Sequence, residues 1–270
     1  MFDKIYCINL DRRADRWEQF QRDYPAELLP AERWRAEDGN KISCGWWRGG
    51  RGAYGCFASH LAIIEKCIAD NTATVLIFED DAVARDGFAE LWSEFVNLLP
   101  SDWEWIYFGG WHRSSPPRRV NPGIYVPQSV GGTHAYALRL PTMIKLRDLI
   151  IDRREWHRRR VGHIDHFYER LTVDGWPGLY CPAKWLFWQA AGKSDISGGS
   201  NGLNTWPDPY TIREKPHGTY VPTEITCDPA PCGADQFCCK RRHCHQSWPT
   251  DSKPPVCRER RLIRQEFAAA

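Results

Sequence analysis

The sequence predicts an α/β layered domain with a mainly parallel central sheet flanked by helices, followed by a Cys-rich C-terminal tail. Three observations carry this expectation. Short β-branched and aromatic runs alternate with stretches of helical periodicity as far as about residue 200, the pattern of βαβ units. Apolar residues make up 42% of the chain and aromatic ones 13%, enough to bury a full core. Beyond that point aliphatic residues thin out and Pro, Gly, Asn and Cys take over.

Lys4 to Leu10 alternates in polarity and then runs into charges, as a first core strand does. Ala14 to Tyr24 places Trp17 and Phe20 at helical spacing and stops at Pro25. The glycine-rich stretch from Ile42 to Gly55 reads as a loop, and Cys56 to Asn71 as a helix with Phe57, Leu61, Ile64 and Ile68 on one face. Thr74 to Phe78 is a buried strand, Gly87 to Leu99 a helix ended by Pro100, and Trp105 to Phe108 and Thr133 to Leu140 are further strands. A Pro-rich loop, Ser114 to Pro122, lies between those last two. Pro141 opens a helix reaching about Arg153, and Asp165 to Val173 is a short one. The domain boundary falls near residue 205, giving a domain over 1–205 and an arm and tail over 206–270.

Composition narrows the function classes. A formal charge of +2 is too small for bulk nucleic-acid binding. Trp occurs 14 times, an excess that leans toward a carbohydrate or nucleotide ligand, since exposed indoles stack on sugars and bases. No stretch approaches the roughly 18 apolar residues of a transmembrane helix. The N-terminal MFDKIYCINLDRR has no apolar core of a signal peptide, so the cytoplasm is the expected compartment. The Cys-rich tail leaves an oxidising compartment open.

VLIFEDDAV, residues 75–83, is the most informative stretch: four apolar residues run straight into Glu79, Asp80 and Asp81. Three adjacent carboxylates repel one another. In open α/β sheets ligands bind outside the carboxyl ends of strands, where this cluster sits. Hard carboxylate oxygens suit Mn²⁺ or Mg²⁺, and such an ion would relieve the repulsion. A solvated turn or helix cap is the plainer reading of the same residues. If the strand continues, Glu79 and Asp81 share one face and Asp80 takes the other.

Six segments taken in order resemble glycosyltransferase family 25, which includes lipooligosaccharide galactosyltransferases (lipopolysaccharide biosynthesis) and procollagen galactosyltransferases. They are INLDRRADRW, GAYGCFASHLAIIEKCI, VLIFEDDAV, GGTHAYALRL, HIDHFYERL and CPAKWLFWQAAGKSDI, together spanning roughly residues 3 to 197. The resemblance implies a GT-A-like fold and transfer of a sugar, usually galactose from UDP-galactose, with inversion. It implies that Asp81, with Glu79 or Asp80, serves as the DxD-like manganese (or magnesium) motif. The implied partners are a UDP-sugar donor and a glycan, lipid-linked or protein acceptor.

The matched segments nominate further residues. Asn9, Arg12, Arg13 and Arg16 follow the first strand, where Arg suits bidentate phosphate contact; an exposed helix start is the alternative. Gly52 and Gly55 let backbone pass close to the nucleotide, or simply loosen a loop. Ser59 and His60, opening the GCFASH helix, either support the donor site or pack. An inverting transfer needs a general base, and Asp165 in HIDHFYERL is the choice, with a helix N-cap as its other role. His134 and Asp195 are lesser candidates for a metal or diphosphate contact, and Trp111 and His112 for a lid or acceptor wall. RREWHRRR, Arg153 to Arg160, reads as a solvated helix end or a contact for an anionic acceptor or membrane surface.

Cys227, Cys232, Cys238, Cys239, Cys244 and Cys257 lie within 31 residues and fit three disulfides, a zinc site with His243 and His245, or free thiols. Cys7, Cys44, Cys56, Cys67 and Cys181 read as small buried hydrophobes. Two other classes compete with the glycosyltransferase reading: a non-catalytic carbohydrate- or partner-binding protein on the same fold, and a nucleotidyltransferase.

Overall fold

In a computed structural model the described residues are 1–42, 44–196, 200 and 201. The boundary near residue 205 and the six tail cysteines lie outside them. In chain order the elements are β1 (Lys4–Asn9), α1 (Ala14–Asp23), β2 (Glu32–Arg35), α2 (Arg51–Ala69), β3 (Thr74–Glu79), β4 (Ala82–Ala84) and α3 (Phe88–Leu98). Next come β5 (Trp105–Tyr107), β6 (Trp111–His112), β7 (Arg118–Arg119), β8 (Ile124–Val126), β9 (Val130–Gly131) and β10 (Ala135–Arg139). The rest are α4 (Leu140–Ile151), α5 (Arg153–Arg159), α6 (Ile164–Asp174), β11 (Leu179–Pro182), β12 (Phe187–Gln189), β13 (Gly192–Lys193) and β14 (Ser200–Asn201).

Eight strands form one sheet in the order β2-β1-β3-β10-β5-β11-β8-β7. β2, β1, β3, β5, β11 and β7 run one way, and β10 and β8 run against them. The sheet is therefore mostly parallel in direction. Inserting β10 between β3 and β5 brings its amino end beside the carboxyl ends of its neighbours, with Ala135 opposite Phe78.

Alternation along the strands splits the core into two layers. Ile8, Val75, Ile77, Tyr107 and Tyr136 pack with Phe57, Ile64, Met143, Trp156 and Phe167 from α2, α4, α5 and α6. Ile5, Cys7, Leu76, Phe78 and Ile106 pack on the other face with Phe20, Phe88 and Phe95 from α1 and α3. Much of the tryptophan is spent here. Trp103, Trp105, Trp156 and Trp185 are buried, and Trp17, Trp34, Trp46, Trp47, Trp92 and Trp176 pack against the core.

The structure corrects several boundaries. α2 begins at Arg51, so Gly52 and Gly55 are helical rather than loop residues, and Ser59 and His60 lie well inside the helix instead of opening it. Pro141 sits in the first turn of α4 as expected, but that helix stops at Ile151. Asp152 then accepts a hydrogen bond from the backbone N–H of Arg154 and starts α5. RREWHRRR is thus a separate helix rather than a trailing end: Trp156 is buried, and Arg159 pairs with Asp174 at 2.6 Å. β2 and the small β4–β12 pair carry no strong sequence signal. β2 reads ERWR and is an exposed edge, where no apolar alternation is needed.

Candidate functional site

β1 and β3 run parallel, with Ile8 opposite Glu79, so their carboxyl ends stop side by side. The Asp80 N–H donates to Ile8 O at 3.1 Å, which carries the pairing with β1 one residue past the end of β3. Glu79 is the last residue of β3, and Asp80 and Asp81 form a turn into β4. The three carboxylates therefore do not alternate as strand residues would, and each meets a different environment.

Asp80 is held from the β1 side. Asn9 Nδ2 donates to its Oδ2 at 2.7 Å and Arg16 Nη1 to its Oδ1 at 3.0 Å. Asn9 also donates to Arg13 O at 2.8 Å and accepts from Arg33 Nε at 2.8 Å, so it is a brace fixed on three sides. Burial still pushes the Asp80 carboxyl above its ordinary value against the pull of Arg16 and Asn9.

Glu79 is turned toward α2 and β10. Its Oε1 accepts from Thr133 Oγ1 at 2.5 Å and lies 3.3 Å from His60 Nε2. His60 is fully buried, and its Nδ1 is 2.8 Å from the Tyr136 hydroxyl. Burial raises the Glu79 carboxyl, but the contacts with His60 and Thr133 outweigh it and leave the group below the usual value.

Asp81 is the unbalanced member. It is buried, and its Oδ1 has no hydrogen-bond partner among the described residues. Arg16 Nη1 reaches its other oxygen only at 3.8 Å. Burial, then repulsion from Glu79 and Asp80, pushes its carboxyl up to about 7. An orphaned buried carboxylate oxygen amid like charges is what a divalent cation would satisfy, so these residues fit the expected metal.

The remaining candidates divide by what they touch. Arg12 pairs with Asp38 at 2.8 Å and Asp195 at 3.0 Å, and Arg13 with Asp15 at 2.9 Å and with Asp195. Both arginines are thus committed to carboxylates of this chain, and Asp195 is the clasp between them. A Cβ on Gly52 would come within 2.7 Å of Asp195 O, and one on Gly55 within 2.5 Å of Glu37 O. These glycines admit the chain's own backbone. Ser59 Oγ donates to Gly55 O at 2.7 Å and accepts the Glu37 N–H at 2.8 Å, tying α2 to the same segment.

Asp165 is the second residue of α6, and His163 occupies the N-cap position, so the capping role expected for Asp165 is corrected. Its Oδ2 accepts from Arg113 Nη2 at 3.2 Å, and Arg113 also reaches Glu169 at 3.6 Å. The charges of Glu79, Asp165 and Asp81 all act on the Cys56 thiol, which burial and then those charges raise well above its ordinary value. His134 and His112 are buried and held down to about 4 by burial; His134 stacks near Trp111, and His112 on Trp185 at 5.1 Å. The sequence reading passed over Thr133, Tyr136, Arg113 and Cys56, which position or adjoin the site. Only Cys56 left a trace, four residues before His60 on one helix face.

Residues 50–116, from the start of α2 past the acidic turn to the loop after β6, match the family described as glycosyltransferase family 25 (LPS biosynthesis protein). Over these parts of its length the chain is similar to glycosyltransferase family 25. The human inactive glycosyltransferase 25 family member 3 is 31% identical over 170 residues, covering 54% of this chain and 28% of that protein. Human procollagen galactosyltransferase 2 is 26% identical over 129 residues, 40% of this chain and 21% of that protein. A glycosyltransferase 25 family member of Aedes aegypti is 30% identical over 125 residues, 39% and 21% of the two chains. The matches thus span less than a third of each of these relatives. Among solved structures, the crystal structure of A197 from STIV covers 80% of this chain and 100% of its own at 11% identity, with a TM-score of 0.32, too low to assign a fold. Among the described residues no helix is long and apolar enough to cross a membrane.

Proposed function

We propose that this chain is a metal-assisted glycosyltransferase on a GT-A-like fold. It would move a sugar, galactose from UDP-galactose as the leading case, onto a hydroxyl of a saccharide, lipid-linked glycan or protein. The observation that carries the reading is Asp81: a buried carboxylate with an unpartnered oxygen, at the carboxyl edge of the parallel strands, within the segment that matches the family. Mn²⁺ or Mg²⁺ bound there, with Glu79 beside Asp81, would act as a Lewis acid toward the diphosphate leaving group.

The chain's own residues supply the rest. Asn9 and Arg16 fix Asp80, and Asp81 keeps one oxygen, Oδ1, without a hydrogen bond among the described residues. Asp165 is the general base. The acceptor oxygen attacks the anomeric carbon, the bond from that carbon to the β-phosphate oxygen breaks, UDP leaves with the electron pair, and the hydroxyl proton passes to Asp165. Arg113 orients Asp165 and has to yield it when the acceptor arrives.

Release of UDP in the presence of an acceptor, abolished by EDTA and restored by Mn²⁺, is the expected result across a panel of UDP-sugars. Full activity without metal removes the cation from the reaction. Pyrophosphate release instead of UDP identifies a nucleotidyltransferase. The second reading, a non-catalytic binding protein, draws on the names of the inactive relatives in human and mouse. Donor binding without turnover selects it.

A further inference from the structure

Cys56 and His60 are four residues apart on α2, so their side chains share a face, and that face meets the last residue of β3. The result is a compact group: Cys56 Sγ, a ring nitrogen of His60 and a Glu79 carboxylate oxygen all lie within 4.8 Å of one another. Its make-up differs from that of the acidic turn. A thiol, an imidazole and a carboxylate suit a borderline ion, whereas clustered carboxylates suit a hard one.

We propose that Cys56, His60 and Glu79 bind a borderline divalent cation of the zinc or cobalt kind. The 3.3 Å from His60 Nε2 to Glu79 Oε1 is long for a hydrogen bond between charged partners. It is close to the separation of about 3.3 Å that two ligand atoms take at a tetrahedral angle around a zinc ion with bonds of about 2.0–2.1 Å. The supporting groups are in place behind the ligands. Tyr136 hydroxyl lies at His60 Nδ1, where it can accept Nδ1–H and leave the Nε2 lone pair facing the ion, and Thr133 donates to the Glu79 oxygen. Binding converts the thiol to thiolate and releases its proton to solvent. The site rests on Cys56 and His60 and shares Glu79 with the metal of the proposed reaction, so the two are told apart by Asp81, which belongs to that metal alone.

The test uses the purified full chain, stripped with chelator and titrated with Co²⁺ near neutral pH. The wild-type protein should show a thiolate-to-cobalt charge-transfer band and visible bands of a four-coordinate ion, both displaced by one equivalent of Zn²⁺. Cys56→Ser should lose one bound cation and the corresponding part of the band, with at least about tenfold weaker binding at this site. Tail cysteines are present in both proteins, so the difference between them reports on Cys56. Asp81→Asn should keep the band even where it abolishes UDP release, which separates this site from the proposed reaction. Identical spectra and stoichiometry in wild type and Cys56→Ser overturn the proposal, leaving an inert thiol beside a His–Glu contact. Should Cys56→Ser fail to fold, alkylation of the wild type decides: Zn²⁺ must shield Cys56 from the reagent, and an unshielded Cys56 refutes the site.

Discussion

The acidic turn and the first turn of α6 each hold a carboxylate, yet they solve the problem of charge differently. Asp81 is buried, orphaned at one oxygen and raised to about 7. Asp165 keeps 23% of its side chain exposed and has Arg113 at 3.2 Å. A partly exposed ion pair is worth only about 0–1 kcal/mol, so Asp165 can be released to receive a proton at small cost. A buried unpaired carboxylate has no such freedom, because only a proton or a cation makes it tolerable. In the proposed reaction, environment rather than residue type would separate the base from the metal ligand.

The largest effect that would break this comparison is on turnover. Asp165→Asn should lower the rate of UDP release by roughly 10²–10⁴-fold with donor affinity unchanged, the loss expected of a general base. Near-normal turnover in that variant would rule the base role out.

Next in size is the pH dependence of stability in the cation-free protein. The Asp81 carboxyl sits near 7 when folded, against about 3.9 in an unfolded chain. Between those values the folded chain holds a proton that the unfolded chain has lost, so this group's contribution turns against the fold as pH rises from 4 to 7. Asp81→Asn removes it. The variant should be more stable than wild type by up to a few kcal/mol above pH 7, and the gap should close toward pH 4. Mn²⁺ should raise the wild-type melting temperature and leave the variant's unmoved. Thermal melts across pH test both points, and a gap that stays constant with pH contradicts the account of Asp81.

Gly55→Ala probes the element that carries Cys56 and His60 to the turn. Its Cβ would meet Glu37 O at 2.5 Å and Gly39 N at 2.7 Å, so a loss of about 1–3 kcal/mol in chemical denaturation is expected. An unchanged midpoint would mean that the 37–39 segment yields freely. The smallest effect should come from Arg113→Gln. Losing a partly exposed partner of Asp165 should cost about 1 kcal/mol or less in stability, while turnover changes because Asp165 loses the side chain that orients it. Unchanged turnover would detach Arg113 from the base.

Sequence alone determined the α/β class, most of the strands and helices, and the acidic turn at the end of β3, because these follow from local periodicity and from the order of residues along one strand. It also carried the family resemblance, whose segments come in linear order. The richness in Trp and the glycines at 52 and 55 were legible as features, but their use was not: most described Trp side chains fill the core, and the two glycines make room for backbone. Partnership was the part only tertiary structure could decide. Asn9 meets Asp80 from 71 residues away, Arg12 and Arg13 meet Asp195 from more than 180, and Thr133 and Tyr136 reach the turn because β10 inserts antiparallel beside β3. Which of three adjacent carboxylates keeps an unpartnered oxygen depends on such long-range contacts, because they decide whether burial and the repulsion from its neighbours along the chain are offset.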